Sequence, residues 1–188
     1  MEVVATTLPG VVVLQPKVFG DARGFFVETW REQWARQIPG NPRFVQGNHS
    51  RSRQGVLRGL HFQLQHPQGK LVRTARGEVF DVAVDVRVGS PSFGHWVGVV
   101  LSDVNHHQLY VPPGFAHGFC VLSETADFLY QCTDYYHPED EGGVLWNDPA
   151  LGIEWPVTMP TLSAKDGRWL PLAEVPHDRL PRYRGDEI

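Results

Sequence analysis

Short apolar runs interrupted by glycine and proline recur along the whole chain and limit the folds open to it. The 188 residues include 19 Gly and 15 Pro, and turns arrive about every ten residues, a spacing typical of β-sandwiches and β-barrels. Residues 79–88 (VFDVAVDVRV) alternate most regularly. One face of this predicted strand is wholly apolar, and the other carries Asp81, Ala83, Asp85 and Arg87.

Helical periodicity is confined to residues 30–38 (WREQWARQI), with a weaker candidate near the C-terminus. We therefore predict an all-β fold, an antiparallel β-barrel of jelly-roll type with a few short helices at its rim. The length suits one well-buried domain, which we place at residues 1–188. Residues 167–188, rich in proline and charge, are expected to form a C-terminal tail on the surface.

Composition and charge exclude several classes of partner. The formal net charge is −4, which argues against a general binder of nucleic acid or of membrane surfaces. No apolar run approaches the length of a membrane span, and the N-terminus shows no export signal. Cys120 and Cys132 lie in apolar surroundings and are interpreted as reduced core residues. We expect a cytoplasmic protein.

Several polar side chains interrupt the β pattern, where burial is costly unless a partner is present. Each has an ordinary explanation, such as a hydrogen-bonded core histidine or a solvated turn lysine. Together they predict a polar pocket, because a barrel lumen can bring such residues into one place. The set comprises Gln46, Asn48, Arg58, His61, Lys70, Asp81, His117 and Tyr130.

The stretch VLRGLHFQ, residues 56–63, places Arg58 and His61 three positions apart in one predicted strand. Strict alternation would point these two side chains to opposite faces of the sheet. Gly59, between them, permits a β-bulge that re-aims one side chain. We predict this bulge, and with it a strand that delivers both groups to the lumen.

The residue types favour acid–base chemistry. A metal site is disfavoured, because Phe62 and Gln63 follow His61 where a second ligand would be expected, and adjacent His106 and His107 would face opposite ways in a strand. No G-x-S-x-G elbow, P-loop or dinucleotide-binding motif is present. The remaining chemistry is proton transfer without metal or cofactor, by an imidazole base, a phenol acid and cations facing an oxyanion.

A longer set of stretches resembles one known family. They run in unbroken order from about residue 18 to 166: FGDARGFFVETW, FVQGNHSRSRQGVLRGLHFQ, QGKLVR, GEVFDVAVD, SPSFGHWVG, VPPGFAHGF, YQCTDYYHPEDEGGVLWNDPALGIEWP and LSAKD. This set resembles the dTDP-4-dehydrorhamnose 3,5-epimerases. The resemblance implies a cupin-type jelly roll and a homodimer that needs no metal or cofactor. The implied reaction inverts C3 and C5 of dTDP-4-dehydro-6-deoxy-D-glucose, a dTDP-4-keto-6-deoxyhexose, on the route to dTDP-L-rhamnose for surface polysaccharide.

The resemblance also implies residue roles. His61 would remove the proton beside the ketone, with Asp166 as its carboxylate partner. Tyr130 would return a proton from the opposite face, and Lys70 would hold the enolate. The remaining implied roles are in substrate binding. His117 with Asp81 would contact the sugar, and the sugar and diphosphate would be bound by Arg58, Gln46 and Asn48. Tyr136 would stack on thymine with Glu141 nearby, and the nucleotide would also be bound, partly across the dimer, by Phe19, Arg23 and Glu28.

Other functions remain open at this stage. A 3-epimerase would keep His61 and Asp166, although Tyr130 favours the double epimerase. A keto-sugar isomerase lacks the VLRGLHFQ and NDPALGIEWP blocks. A metal-dependent cupin would need bound iron, manganese or zinc, and a non-catalytic sugar-nucleotide-binding protein would need no base.

Overall fold

The computed structural model describes residues 1–185, and β-strands dominate them. The strands are β1 (Glu2–Ala5), β2 (Val12–Gln15), β3 (Val18–Asp21), β4 (Gly24–Val27), β5 (Gln46–Arg53), β6 (Leu57–Gln63), β7 (Lys70–Arg76), β8 (Glu78–Asp85), β9 (Trp96–Ser102), β10 (Gln108–Val111), β11 (Phe115–Val121), β12 (Thr125–Cys132) and β13 (Glu141–Gly143). Short 3₁₀ helices span Glu32–Gln37, Pro138–Asp140, Asp166–Arg168, Leu172–Glu174 and His177–Arg179.

Two antiparallel sheets face each other across the main core. One has six strands in the order β1-β2-β10-β7-β12-β5, and the other has five in the order β13-β6-β11-β8-β9. Strands β3 and β4 form a separate two-stranded hairpin. Residues from both large sheets interdigitate between them, among them Val72, Leu109, Phe119 and Phe128. The predicted all-β, antiparallel jelly roll with a few short helices is confirmed.

Strand β8 shows how the alternating pattern is used. Its apolar face, with Val82 and Val84, turns away from the lumen and packs in an outer cluster. The opposite face carries Asp81, which is fully buried, toward the space between the sheets. Alternation therefore buries both faces of this strand, one in each of two cores.

The C-terminal segment covers that outer face. Leu172 and Leu180 are buried in the same cluster as Val82, and the backbone N–H of Val88 donates to Pro181 O at 2.8 Å. The segment expected to be a surface tail thus runs along the outside of the barrel and supplies core side chains. Residues 186–188 of that expected tail lie outside the described residues.

The helical segment predicted at residues 30–38 is the 3₁₀ helix Glu32–Gln37. Its C-cap residue Ile38 packs with Leu14 and Tyr110 on the outside of the six-stranded sheet, so the helix covers one face of that sheet. No helix of residues 1–185 combines the length and apolar character that a membrane crossing requires.

We predict that Leu172→Ala lowers the free energy of unfolding by about 2–4 kcal/mol, because it opens a cavity between the C-terminal segment and the sheet. Chemical denaturation followed by tryptophan fluorescence would measure the change. Leu170→Ala is the matched control, since Leu170 is 47% exposed and its truncation should change stability by less than about 0.5 kcal/mol. Equal effects of the two substitutions would contradict a packed C-terminal segment.

Candidate active site

A register break in β6 brings two of the predicted site side chains to the same side. His61 lies opposite His117 of β11, and Arg58 lies opposite Phe119. Between these pairs the chain advances three residues in β6 and two in β11, which is the geometry of a β-bulge. The predicted bulge is confirmed, and Arg58 and His61 line one cavity.

Gly59 permits this bulge for two physical reasons. Its φ of +128° lies where residues with a Cβ are strained. A Cβ at this position would also lie 2.5 Å from the Cα of Gly118 on β11. Only glycine at this point lets the two strands approach so closely.

Two adjoining cavities between the sheets, of about 460 and 180 Å³, form the candidate site. Together they have the size of a small-molecule pocket. Both are lined by His61, Lys70, Tyr130, Tyr136 and Glu141. The larger one adds Arg58, His117 and Asp166, and the smaller one adds Gln46 and Asn48.

His61 is braced by a buried carboxylate. Its Nε2 lies 2.5 Å from Oδ1 of Asp166, whose side chain is 3% exposed, and the Asp166 N–H donates to Ser163 Oγ at 3.1 Å. Burial alone would raise the pKa of Asp166, but hydrogen bonds from His61 and Ser163, together with the charges of His61 and Lys165, hold it below its ordinary value. Because an ionised carboxylate only accepts, Nε2 is the donor in this contact, and in the neutral ring Nδ1 has the free lone pair.

A second histidine–carboxylate pair lies deeper in the lumen. Nε2 of His117 contacts Oδ1 and Oδ2 of Asp81 at 2.9 and 3.1 Å, and both residues are buried. Burial raises the pKa of Asp81, although His117 and Lys70 favour its charged form. The pair is therefore held in place by mutual hydrogen bonding in a site with little access to water.

Two cations face the cavity. Arg58 donates from Nε and Nη2 to Ser52 Oγ at 3.2 and 3.0 Å, and burial lowers the pKa of Lys70. The cavity carboxylates pair with other groups, and within residues 1–185 neither Arg58 nor Lys70 forms an ion pair. Their charge is available to an anionic ligand.

Tyr130 enters the cavity from the wall that faces His61. Tyr130 belongs to β12 of the six-stranded sheet, whereas His61 belongs to β6 of the five-stranded sheet. The Tyr130 ring lies 6.0 Å from that of Phe128, which stacks on Phe119 at 4.0 Å. Burial raises the pKa of Tyr130, so its phenol stays protonated near neutral pH and can donate a proton.

A chain of polar contacts lines the rim of the cavity. Tyr136 donates its hydroxyl to Glu141 Oε2 at 3.2 Å and its N–H to Gln46 Oε1 at 3.0 Å. Gln46 Nε2 in turn donates to Asn48 Oδ1 at 3.0 Å. Tyr136 is 49% exposed as a residue. Burial, with the neighbouring Glu141 carboxylate, raises the pKa of Tyr136.

The hairpin residues do not join this cavity within the chain. Phe19 is 54% exposed, the Arg23 side chain is 90% exposed and pairs with Asp21, and Glu28 pairs with Arg31 at 2.7 Å. Of the residues expected to form the site, these three lie apart from the others.

Comparison with known proteins decides the family. A family model described as dTDP-4-dehydrorhamnose 3,5-epimerase matches residues 5–174, which include both walls of the cavity and the turn that carries Asp166. The chain belongs to the dTDP-4-dehydrorhamnose 3,5-epimerase family. The family resemblance predicted from the sequence is thereby confirmed.

Individual relatives support the same family assignment. The chain is 59% identical to a dTDP-4-dehydrorhamnose 3,5-epimerase of Salmonella typhimurium, over 88% of this chain and 92% of that one. A Neisseria gonorrhoeae protein of the same name is 58% identical over 88% of this chain, and the match spans 51%, about half, of its length. A Streptomyces niveus dTDP-4-dehydrorhamnose 3-epimerase is 42% identical, covering 89% of this chain and 82% of that one.

A solved structure matches the fold closely. The dTDP-6-deoxy-D-glucose-3,5-epimerase of Legionella pneumophila, in complex with dTDP-4-keto-L-rhamnose, superposes with a TM-score of 0.95. The two sequences are 50% identical, and the match covers 98% of this chain and 99% of that one.

Some cavity residues of this epimerase-family chain were not predicted from its sequence. Gln63 lies two positions after His61, so alternation along β6 would have placed it on the same face. It accepts from the His137 N–H at 2.8 Å and donates to Tyr135 O at 3.1 Å, which braces the loop before Tyr136. Lys165 had no such signal, because its position depends on the fold of a loop. Across residues 1–185, no three histidine, cysteine, aspartate or glutamate side chains are arranged to hold a metal ion.

We predict that Gly59→Ala destabilises the protein by about 3 kcal/mol or more, because a Cβ would collide with the β11 backbone and would also be strained at this φ. Thermal unfolding would measure the loss. Gly89→Ala is the control: Gly89 also has a positive φ, +89°, but a Cβ there meets open space, so only about 1 kcal/mol of strain is expected. Equal losses would show that the close strand approach is unimportant.

Proposed function

We propose that the protein inverts C3 and C5 of dTDP-4-dehydro-6-deoxy-D-glucose and yields dTDP-4-dehydro-L-rhamnose, the reaction named for its relatives. One observation carries the proposal: a histidine braced by a buried aspartate and a protonated tyrosine project from facing sheets into one cavity. Base and acid on opposite walls are what inversion at carbon requires, since a proton returned to the same face restores the starting sugar.

His61 is the proposed base. A hydrogen on the carbon beside a ketone is weakly acidic, because its removal leaves an enolate. The geometry supports Nδ1 as the acceptor, since Nε2 is engaged by Asp166 at 2.5 Å. The Asp166 carboxylate then stabilises the imidazolium that forms and keeps the ring oriented.

Lys70 is the proposed partner of the C4 oxygen. Enolate formation places negative charge on that oxygen, and a donor already in position stabilises it without reorganisation. Lys70 lines both parts of the cavity and forms no ion pair within residues 1–185. Removing one such donor typically raises a barrier by about 3 kcal/mol.

Tyr130 is the proposed acid. Its phenol, protonated because burial raises its pKa, faces the enolate from the wall opposite His61. Proton return from this side inverts the carbon. The same geometry serves C3 and C5, because both carbons flank the C4 ketone and share one enolate oxygen.

The remaining cavity residues are proposed to bind the substrate. Arg58, with planar donors, suits the diphosphate, and Gln46 and Asn48 offer neutral amide groups nearby. The His117–Asp81 pair is placed to hold a sugar hydroxyl. The half-exposed ring of Tyr136, next to Glu141, is suited to stacking on thymine.

A homodimer is part of the proposal. The β3–β4 hairpin exposes Phe19 by 54%, Phe25 by 61% and Phe26 by 68%, and an exposed aromatic group of this kind marks an interaction surface. An isolated two-stranded hairpin is also marginally stable in water. We place it against a second copy, where Arg23 and Glu28 would reach the nucleotide.

A cytoplasmic location completes the proposal. Cys120 and Cys132 are both buried and free, as is usual for proteins of reducing compartments. The proposed substrate is a nucleotide sugar, which the family resemblance places on the route to surface polysaccharide.

We predict that His61→Ala abolishes exchange of the C3 and C5 hydrogens, because His61 is the proposed base for both carbons. Proton NMR in deuterium oxide with dTDP-4-dehydro-6-deoxy-D-glucose would count the hydrogens that vanish. Affinity for dTDP should stay within about tenfold, roughly 1.4 kcal/mol, since the nucleotide contacts remain. Near-normal turnover would remove His61 from the mechanism.

Tyr130→Phe is the matched variant in the same assay. It keeps the ring packing but removes the acid, so hydrogens should still exchange while inversion falls by about 10²-fold or more. Inversion at the parent rate would mean that another acid acts. Exchange at C3 alone in the unmodified protein would instead support a 3-epimerase, the activity named for the Streptomyces niveus relative.

We predict that Phe25→Ser with Phe26→Ser shifts the protein from dimer to monomer, because these two rings present the largest apolar exposure of the hairpin. Sedimentation velocity would measure the change, and KM for the sugar nucleotide should rise in parallel. Met159→Ser is the control, since Met159 is 88% exposed and belongs to a loop outside the hairpin. A double variant that stays dimeric would place the interface elsewhere.

A further inference from the structure

Trp169 lies next to the proposed base, in the segment that was expected to be a surface tail. Its ring centroid is 6.4 Å from that of His61, and the two ring planes meet at 68°. This is the edge-to-face arrangement that aromatic pairs favour. Within residues 1–185 no other aromatic ring pairs with His61, and the proposed mechanism gives Trp169 no role.

The packing around the indole fixes its position. It lies on Gly143, the residue of β13 that pairs with His61, and a Cβ on Gly143 would collide with three atoms of the indole. On the C-terminal side, the Leu170 carbonyl oxygen accepts a backbone hydrogen bond at 2.9 Å, and the Leu172 N–H donates to Oδ2 of the buried Asp148 at 2.7 Å. The indole is therefore held against β13 by backbone that is itself anchored.

The indole N–H is not what this contact uses. Nε1 of Trp169 is buried and has no hydrogen-bond partner within residues 1–185. A buried N–H without a partner lowers stability. What the side chain supplies at this position is therefore the volume and the edge of a flat ring.

The hydrogen bond between His61 and Asp166 leaves one motion of the imidazole weakly restrained. The ring rotates about its Cβ–Cγ bond, and Nε2 lies close to that axis, whereas Nδ1 lies farther from it. A contact at Nε2 therefore changes little when the ring rotates, although the same rotation moves Nδ1, the proposed proton acceptor. Oε1 of Glu141 is 3.8 Å from Nδ1, too far for a hydrogen bond. A flat side chain packed against the ring can resist this rotation.

We propose that Trp169 is a positioning residue for the epimerisation. Its indole restrains the plane of the imidazole and so keeps Nδ1 of His61 directed at the carbon that loses its proton. The inference rests on the proposed function. Asp166 then fixes one nitrogen of the ring, and Trp169 fixes the plane in which the other nitrogen lies. Proton transfer needs this accuracy, because a displacement of about 1 Å can cost about 10²-fold in rate.

The test is the steady-state kinetics of Trp169→Leu with dTDP-4-dehydro-6-deoxy-D-glucose, together with deuterium exchange at C3 and C5. We expect kcat and both exchange rates to fall by about tenfold or more. KM and the affinity for dTDP should stay within about twofold, because the proposed binding groups keep their places. Trp169→Phe keeps a flat ring and removes the unpartnered N–H, so it should retain most of the parent kcat. Trp169→Met, which fills irregular gaps without a ring, should show the same fall and gives a second measurement if Trp169→Leu unfolds.

Trp155→Leu is the matched control. Trp155 pairs edge-to-face with Phe80 at 5.9 Å and donates from Nε1 to the Trp146 carbonyl oxygen at 2.7 Å, in the cluster outside the barrel. Its truncation should lower the melting temperature, as Trp169→Leu also does, while kcat stays within about twofold.

Four outcomes would overturn the inference: an unchanged kcat in Trp169→Leu, an equal fall in Trp155→Leu, no recovery in Trp169→Phe, or a change confined to KM. The last would make Trp169 a binding residue. Absence of exchange at C3 and C5 in the unmodified protein would instead refute the proposed function.

Discussion

The close approach of β6 and β11 at two glycines is the constraint on which the site depends. A Cβ on Gly118 would lie 2.7 Å from the Arg58 carbonyl oxygen, just as one on Gly59 would meet Gly118. Because neither strand has a side chain there, β6 gains one residue relative to β11. That single step turns Arg58 to the same side as His61. With strict alternation, the proposed base and the proposed diphosphate cation would lie on opposite faces of the sheet.

The site also depends on the C-terminal segment, which supplies Asp166. Asp166 reaches His61 from 105 residues farther along the chain. The route is held by backbone contacts, since the Thr161 N–H donates to Gly55 O at 2.8 Å and the Leu145 N–H donates to Leu170 O at 2.9 Å. The same segment goes on to cover the outer face of the five-stranded sheet. Packing outside the barrel therefore positions a carboxylate inside it.

Most of the fold could be predicted from local pattern. Glycine and proline spacing with two-residue alternation indicates short antiparallel strands, and the polar side chains that break the alternation mark the cavity. The bulge at Gly59 followed from the three-residue spacing of Arg58 and His61. Alternation along the same strand also carried a signal for Gln63 that was not used. These features are local, because strand geometry alone relates the residues concerned.

Other features required long-range geometry. The pairing of Lys165 with Glu141 depends on how a loop returns to the rim, and no periodicity records that path. The exposure of Phe19 and Arg23 depends on the hairpin standing apart from the two main sheets. The packing of Leu172 and Leu180 was likewise not predicted from the sequence, since their segment is rich in proline and charge. For Lys165, Leu172 and Leu180, the partners are distant in sequence.

By itself the sequence determined that this chain forms a β-barrel whose interior carries a histidine, a lysine, an arginine and a tyrosine, because strand periodicity and glycine positions are encoded residue by residue. The family resemblance had already implied Asp166 as the partner of His61. Only the tertiary structure decided which face of β8 turns inward and which cation pairs with Glu141. A periodic pattern separates two faces without saying which one meets the lumen. That choice, like the pairing of charges, is made by the order and register in which distant strands and loops pack.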